Sequence, residues 1–391
     1  MPAAYDSLLL PRSTHTMSTR SGGQAELHPR MHRARDRDQD EVVGGGEDAG
    51  ADAGEVPSTY TLGCSHGPRR NVPRRLNAVT VTSGRVLLPE SRPRVSLCRG
   101  LRYARLSLVE ARPVVQIVFL TRFTVGAAFV SQDLADGPHL AAGILVWWLA
   151  VVAAYLVNGV LDVKEDRANG SARPIARGDL PERTAALLTA VAAAGSLLLS
   201  LYVPGLTLWV ALFLLLGWLY SAPPFPAKRW SSTCAVVVFG LGWTSFASGA
   251  VAVGGELGPS GLVFATVMSA WMALVGAVVK DLGDVEGDAV GGRRTVAVRY
   301  GAARARALAV AGALLVGAGG VPAALVWAPL TLAGAVPLAI GAVCMVAQIV
   351  RTARAADGDK ETRRSAYRVF MRTQFAANVA MLLALLLHGP A

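Results

Sequence analysis

From about residue 106 onward the chain is a succession of apolar runs near twenty residues long, joined by short connections. A hydrocarbon core of roughly 30 Å is crossed by about 20 helical residues, so runs of this length read as transmembrane helices. About nine such segments are expected, near 113–131, 139–161, 184–203, 206–222, 233–253, 259–281, 303–325, 329–350 and 371–388. Buried helices of a large soluble protein are the competing reading. Charged residues make up 17% of the chain, below the roughly 25% usual in soluble domains. That shortage, and the regular recurrence of long runs, favour an all-α, multi-pass membrane bundle.

The connections test the count. Arg99, Arg102, Arg105 and Arg112 precede the first span, and "SQDLADGPH" after it has no Lys or Arg. Lys164, Arg167, Arg173, Arg177 and Arg183 follow the second span, and "YVPG" after the third has none. The pattern continues with Lys228 and Arg229, then "GGELGPSG", then Arg293, Arg294, Arg299, Arg304 and Arg306, then "VWAP". Arg351, Arg354, Lys360, Arg363, Arg364, Arg368 and Arg372 close it. Every second loop is basic. The positive-inside rule then places those loops and the N-terminus in the cytoplasm and the C-terminus outside, in what is expected to be the cell membrane. The net charge of +11 is thus concentrated where it orients a membrane protein, and no nucleic-acid partner is expected.

Residues 1–105 differ in kind. They are rich in Arg, Gly, Pro and Asp, with charge runs such as "RARDRDQDE". Such a segment buries too little apolar surface to offset the entropy of ordering, so a disordered cytoplasmic tail is expected, ahead of a membrane domain over 106–391. The strand-like run "NAVTVTSGRVLL" receives no role. The opening residues lack the basic start and apolar core of a secretory signal. Cys64, Cys98, Cys234 and Cys344 show no metal spacing and are expected as free thiols.

Two acidic stretches break the apolar pattern, both at loops expected on the cytoplasmic face. "NGVLDVKEDRANGSARPIARGDLP" carries Asn158, Asp162 and Asp166, spaced by four; "KDLGDVEGDAVGGRRTVAVRYG" carries Asp281, Asp284 and Asp288, spaced by three and four. On a helix each set forms one stripe. Carboxylates this close repel unless a cation lies among them, and an oxygen-only set suits Mg²⁺, with Mn²⁺ next. Mg²⁺ usually bridges a few carboxylates to substrate phosphates. Arg173, Lys228, Arg229, Lys280 and Arg294 are the cations expected to hold the remaining phosphate oxygens. "YSAPPFPAKRW" adds a proline-stiffened loop that presents Tyr220, Lys228 and Arg229. Glu165, Glu182 and Glu286 lie off the stripes and are expected as surface charges.

These stretches resemble the UbiA superfamily of intramembrane prenyltransferases. "NGVLDVKED" resembles its first aspartate-rich motif and "DLGDVEGD" its second, while "RPIARG" and "YSAPP…KR" match its pattern in order. The resemblance covers about residues 110–390. It implies a nine-helix bundle around a central cavity and Mg²⁺-dependent transfer of an isoprenoid chain from its diphosphate to an acceptor. By position it makes Asn158, Asp162, Asp166, Asp284 and Asp288 metal-site residues, with Asp281 beside them. Asp162, Asp166, Asp284 and Asp288 would serve ionisation; Arg173, Tyr220, Lys228 and Arg229 would hold the diphosphate. One residue departs from the pattern: Gly159 stands where the family usually has Asp. The expected partners are an isoprenyl diphosphate, an aromatic or lipid-alcohol acceptor, and membrane lipid. A terpene cyclase of the same superfamily, needing no second substrate, is the alternative. A transporter or channel is remote, because its acids would sit near the membrane midplane. Tyr155, Trp147, Trp148, Trp218, Trp243 and Trp271 are aromatic candidates for facing a carbocation, none singled out.

Overall fold

The computed structural model describes residues 93–131, 137–354 and 360–389. The expected tail before residue 93, and the strand-like run within it, lie outside the described residues. The elements in order are α1 (Pro93–Glu110), α2 (Pro113–Ala128), α3 (Gly137–Leu161), the short α4 (Val163–Ala168) and α5 (Pro174–Arg177), α6 (Glu182–Ser200) and α7 (Leu206–Ser221). A 3₁₀ turn at Ala227–Arg229 leads to α8 (Ser231–Ala252) and α9 (Pro259–Trp271). A π turn over Met272–Gly276 runs into α10 (Ala277–Gly283), followed by the short α11 (Val285–Val290) and α12 (Val296–Trp327). A 3₁₀ turn at Pro329–Thr331 precedes α13 (Leu332–Arg354) and α14 (Lys360–His388). No strand occurs among the described residues.

Seven helical stretches are long and apolar enough to cross a membrane: Gly137–Leu161, Glu182–Ser200, Ser231–Ala252, Pro259–Gly283, Val296–Trp327, Pro329–Ala353 and Thr362–His388. Two further apolar helices, α2 and α7, have 16 residues each and reach only about 24 Å at 1.5 Å per residue. They fill two of the nine expected places but fall short of full spans. Large apolar side chains point outward, among them Leu208, Val236, Val343 and Leu387 at 68–77% exposure. A soluble surface rarely carries so many; in lipid they are at home. The chain is an all-α integral membrane protein.

Helix α1 corrects the tail boundary: its residues from Pro93 to Arg105 were expected to be disordered. Proline suits a first helical turn. Tyr103 and Leu106 then pack against Val163, Ile175 and Leu180, which anchors the helix beneath the first acidic stretch. Between α1 and α2, Arg112 takes the left-handed conformation (φ 57°), and Pro113 opens α2 in its first turn.

Close helix approach holds the bundle together. A Cβ on Gly126 would lie 2.0 Å from the Phe246 carbonyl oxygen, and one on Gly249 would lie 1.8 Å from that of Phe123. Helices α2 and α8 therefore meet backbone to backbone, as small residues permit in membranes. Gly317 of the "GAGG" run meets Ala342 of α13, so that packing is internal. One core cluster forms around Phe246, Phe264, Met268 and Trp271, and a second around Phe119, Phe123, Trp147 and Phe213. Arg122, the one charge inside α2, is fully buried and donates to Gln374 Oε1 at 3.0 Å on α14.

Candidate active site

Both acidic stretches use one backbone device. A long helical run stops at an aspartate and restarts as a six-residue helix: α3 stops at Asp162 (φ −99°, ψ 10°), and the run Pro259–Gly283 that ends in α10 stops at Asp284 (φ −121°, ψ 16°). The hydrogen bonds carry the register across each break: Asp162 N–H to Asn158 O (2.9 Å), Asp166 N–H to Asp162 O (2.8 Å) and Asp288 N–H to Asp284 O (2.9 Å). The expected single helix faces are therefore kinked stripes. Each short helix ends the same way. Ser171 N–H bonds Asp166 O and Arg293 N–H bonds Asp288 O, both at 2.8 Å. Gly170 (φ 58°) and Gly292 (φ 68°) supply the left-handed turn, as in a Schellman cap.

The two short helices pack on each other. Asn169 Oδ1 accepts the Gly287 N–H at 2.9 Å. A Cβ on Gly287 would fall 2.1 Å from the Asn169 amide, and one on Gly291 2.3 Å from Glu165 Oε1. Glycine at these two places lets the acidic stretches meet.

Arg293 ties them. Its guanidinium donates to Asp162 Oδ2 (3.0 Å) and Asp288 Oδ1 (3.0 Å) and also contacts Glu165. Lys228 Nζ contacts the Asp162 carboxylate and lies 3.7 Å from Glu165 Oε2. Asn158 Nδ2 donates to Asp162 Oδ2 at 2.9 Å and to Ser221 Oγ at 2.8 Å. Asp162, Lys228, Asp288 and Arg293 are all buried. A second knot holds Asp166. Arg173 Nη1 donates to Asp166 Oδ2 at 2.7 Å, while Arg173 Nε pairs with Glu110 Oε1 at 2.7 Å. A third holds Asp284, between Arg364 (3.0 Å) and Lys280 (3.6 Å). Lys280 also lies 3.9 Å from Asp281.

Burial raises the Glu110 carboxyl against the pull of Arg173, and raises Glu165 against Arg293. Asp284 is also penalised by burial, yet Lys280 and Arg364 hold it below the usual carboxylate range. Burial, then the neighbouring Arg293 and Lys280, push Lys228 down to about 6. Its contact with Asp162 opposes that shift by favouring the ammonium.

Below this charged layer lies a partly open cavity of about 120 Å³. Asn158, Tyr220, Lys280, Asp281 and Arg112 face it at the charged end. Its wall is apolar, with Phe119, Phe213, Leu241, Met272 and Phe370. The π turn contributes Met272 and Gly276; such bulges recur at functional sites. Tyr155 also lines the cavity; Trp147 and Trp271 are fully buried in the cores, and Trp218 is half exposed.

The structure thus brings Asn158, Tyr220, Lys280 and Asp281 to the cavity, ties Asp162, Lys228 and Asp288 around Arg293, and holds Asp166 with Arg173 and Asp284 with Lys280 in separate knots. It leaves two expected cations outside. The Arg229 side chain is exposed, and Arg294 is exposed and stacks over the Trp230 ring at 5.0 Å. The Arg294 N–H to Arg229 O bond (2.6 Å) aligns these two segments. Glu165 corrects a further expectation, being in the Arg293 knot, whereas Glu182 and Glu286 remain exposed. Arg293, Glu165, Glu110 and Arg112 were missed by sequence reading. Arg293 differs from Arg294 only by one place in an Arg-Arg pair, and Glu110 lay three residues outside the first apolar run. Cys98, Cys234 and Cys344 are free thiols, and Cys64 lies outside the described residues.

Among the described residues, no three acidic, His or Cys side chains are grouped closely enough to hold one ion. Arg293 and Lys228 stand among the carboxylates instead. The donors nevertheless suit a hard cation: all are oxygens, and Asp288 Oδ2 is buried with no hydrogen-bond partner, a costly state for a carboxylate unless something positive reaches it.

Known proteins resemble this chain in sequence and in fold. Residues 119–387 match the model of the UbiA prenyltransferase family. The chain is 33% identical over 195 residues to the probable homogentisate phytyltransferase 2, chloroplastic, of Oryza sativa subsp. japonica, covering 44% of this chain and spanning half of that relative. It is 34% identical over 217 residues to digeranylgeranylglyceryl phosphate synthase of Halobacterium salinarum, covering 54% of this chain and 74% of the relative. The fold resembles a solved structure of digeranylgeranylglyceryl phosphate synthase in membranes (TM-score 0.54, 18% identity, 73% of this chain and 99% of that one). It also resembles a UbiA homolog from Archaeoglobus fulgidus bound to DMAPP and Mg²⁺ (TM-score 0.50, 18% identity, 70% and 99%). With its family match spanning most of the membrane domain and including both acidic segments, the chain belongs to the UbiA prenyltransferase family.

Proposed function

We propose that this protein transfers an isoprenoid chain from its diphosphate to an aromatic or lipid-alcohol acceptor, by ionising the allylic diphosphate at the charged end of the cavity. The observation that carries the reading is the Arg293 tie: it holds Asp162 of one stretch and Asp288 of the other above an apolar chamber. The named relatives, prenyltransferases with an aromatic or a lipid acceptor, support the same class. Mg²⁺ suits the oxygen donors of Asn158, Asp162, Asp166, Asp284 and Asp288; when bound it supplies charge neutralisation of the diphosphate. The chain's own cations do the rest. Lys228, Lys280, Arg173 and Arg293 bind and orient the phosphoryl oxygens by charge-assisted hydrogen bonds. Phe119, Phe213, Leu241 and Phe370 receive the tail and exclude water. Tyr155 and Phe119 present aromatic surface in the chamber, where a developing cation is favoured. The basic loops support a reading in which this end of the bundle faces the cytoplasm and the C-terminus lies outside.

Purified protein given an isoprenyl diphosphate, Mg²⁺ and a panel of phenolic and lipid-alcohol acceptors should release diphosphate and form an alkylated acceptor, identified by mass spectrometry. Asp162→Asn should abolish this. Cyclic product from the diphosphate alone would assign a cyclase instead, and undiminished turnover in Asp162→Asn would defeat both readings.

A further inference from the structure

Gly159 lies inside α3, where glycine costs about 1 kcal/mol relative to alanine, and the structure shows what occupies the space it leaves. A Cβ at this position would fall 2.4 Å from Glu110 Oε1 and 2.8 Å from Arg173 Nη2. Glu110 comes from the end of α1, outside the residues that match the family. It is fully buried. Its carboxylate pairs with Arg173 Nε at 2.7 Å and accepts the Ile175 N–H at 2.9 Å, and its carbonyl accepts Arg173 Nη2 at 3.1 Å. Arg173 in turn donates to Asp166 at 2.7 Å. A carboxylate carried on residue 159 would need this same ground. We infer that Glu110 supplies, from α1, the carboxylate that residue 159 lacks, and acts as a positioning residue that sets Arg173 against Asp166.

Three consequences follow from the geometry. Helix α1 is part of the active site, not an appendage to the bundle. Glu110 and position 159 are mutually exclusive places for one acid. Arg173 receives two carboxylates, one from each side, which fixes its guanidinium plane. A side chain at 159 cannot enter while Glu110 is present, because Glu110 is held by the ion pair on Oε1, the Ile175 hydrogen bond on Oε2 and burial. An acid at 159 has room once residue 110 is shortened.

The inference rests on the diphosphate-transfer reading above, and the test separates the two. The measurements are KM and kcat with an isoprenyl diphosphate, binding of inorganic diphosphate with Mg²⁺, and melting temperature. Glu110→Gln keeps shape and an acceptor for Ile175 but removes the charge opposite Arg173. It should raise KM and weaken diphosphate binding about tenfold or more, the worth of a charge-assisted hydrogen bond, with kcat moving less. Gly159→Asp alone should lose at least as much, because two carboxylates meet. The double variant Glu110→Ala/Gly159→Asp should recover most of the diphosphate binding that either single change loses. Losses that add in the double variant, or wild-type KM and binding in Glu110→Gln, overturn the inference. So does a Glu110→Gln protein that melts lower with KM and binding unchanged, since that is a role in stability alone. No turnover by the unaltered protein would instead count against the prenyl-transfer reading, while the binding coupling between 110 and 159 would still decide this one.

Discussion

Asp162 and Asp284 occupy equivalent places in two segments built on one plan. Each ends a long helical run, each precedes a six-residue helix, and each is followed by a left-handed glycine eight residues on, Gly170 or Gly292. Their surroundings differ. Asp162 is buried against Lys228 and Arg293, both 5% exposed in their side chains. Asp284 is held by Lys280 and by Arg364, whose side chain is 48% exposed. The next acids are each fixed by an arginine of their own segment, Arg173 for Asp166 and Arg293 for Asp288, but Arg293 also crosses to Asp162 in the other segment. One backbone device thus gives a locked half and an adjustable half. The locked half sits where removing a partner strands charge; the adjustable half can change partners cheaply.

The sharpest break of this comparison is Asp162→Ala against Asp284→Ala. Stranding two buried cations should cost about 3–5 kcal/mol of stability. The Asp284 change should cost less, about 1 kcal/mol, because its partner Arg364 is half-exposed and regains water when the pair is lost. Thermal unfolding in detergent checks both, and equal losses would show that the halves are not different in kind. Next comes Arg293→Ala, expected to lose about 3 kcal/mol, while its neighbour Arg294→Ala should stay within about 0.5 kcal/mol. Equal effects of the two would refute the assignment of Arg293 as the tie. Gly287→Ala should cost about 1–3 kcal/mol, since its Cβ would meet the Asn169 amide; a neutral result would show that the short helices can part. The smallest effect is salt. Raising it to about 1 M shortens the screening length to about 3 Å. That should weaken the Arg364–Asp284 contribution and leave the Arg293 knot nearly untouched, as read by a double-mutant cycle at each salt concentration.

Much of the fold was legible in the sequence. The run expected at 139–161 is α3, the one at 233–253 is α8, and the one at 303–325 is the part of α12 beyond Gly301, whose φ of 84° breaks the helix. Hydropathy succeeds there because each helix must satisfy its own backbone and face lipid, which leaves a local signature. It fails where a helix is held by neighbours. Helix α1 is too basic to register, and α14 begins at Lys360, well before the expected 371, because its first turns are cationic. The site was legible in part for the same reason. The spacing of Asn158, Asp162 and Asp166, and of Asp284 and Asp288, survives as helical register. The choice between Arg293 and Arg294 does not, since it depends on the turn at Gly292 and the bond from Arg294 to Arg229.

The sequence by itself determined the membrane bundle, the basic-loop alternation and the two acidic stretches. These follow from short-range rules: apolar length, loop charge and helical period. Only the tertiary structure decided that Arg293 closes the two stretches into one cluster, that Arg229 and Arg294 stay exposed, and that Glu110 fills the space beside Gly159. Each of those facts joins residues far apart in the chain. Their proximity is set by how whole helices pack, which no local pattern records.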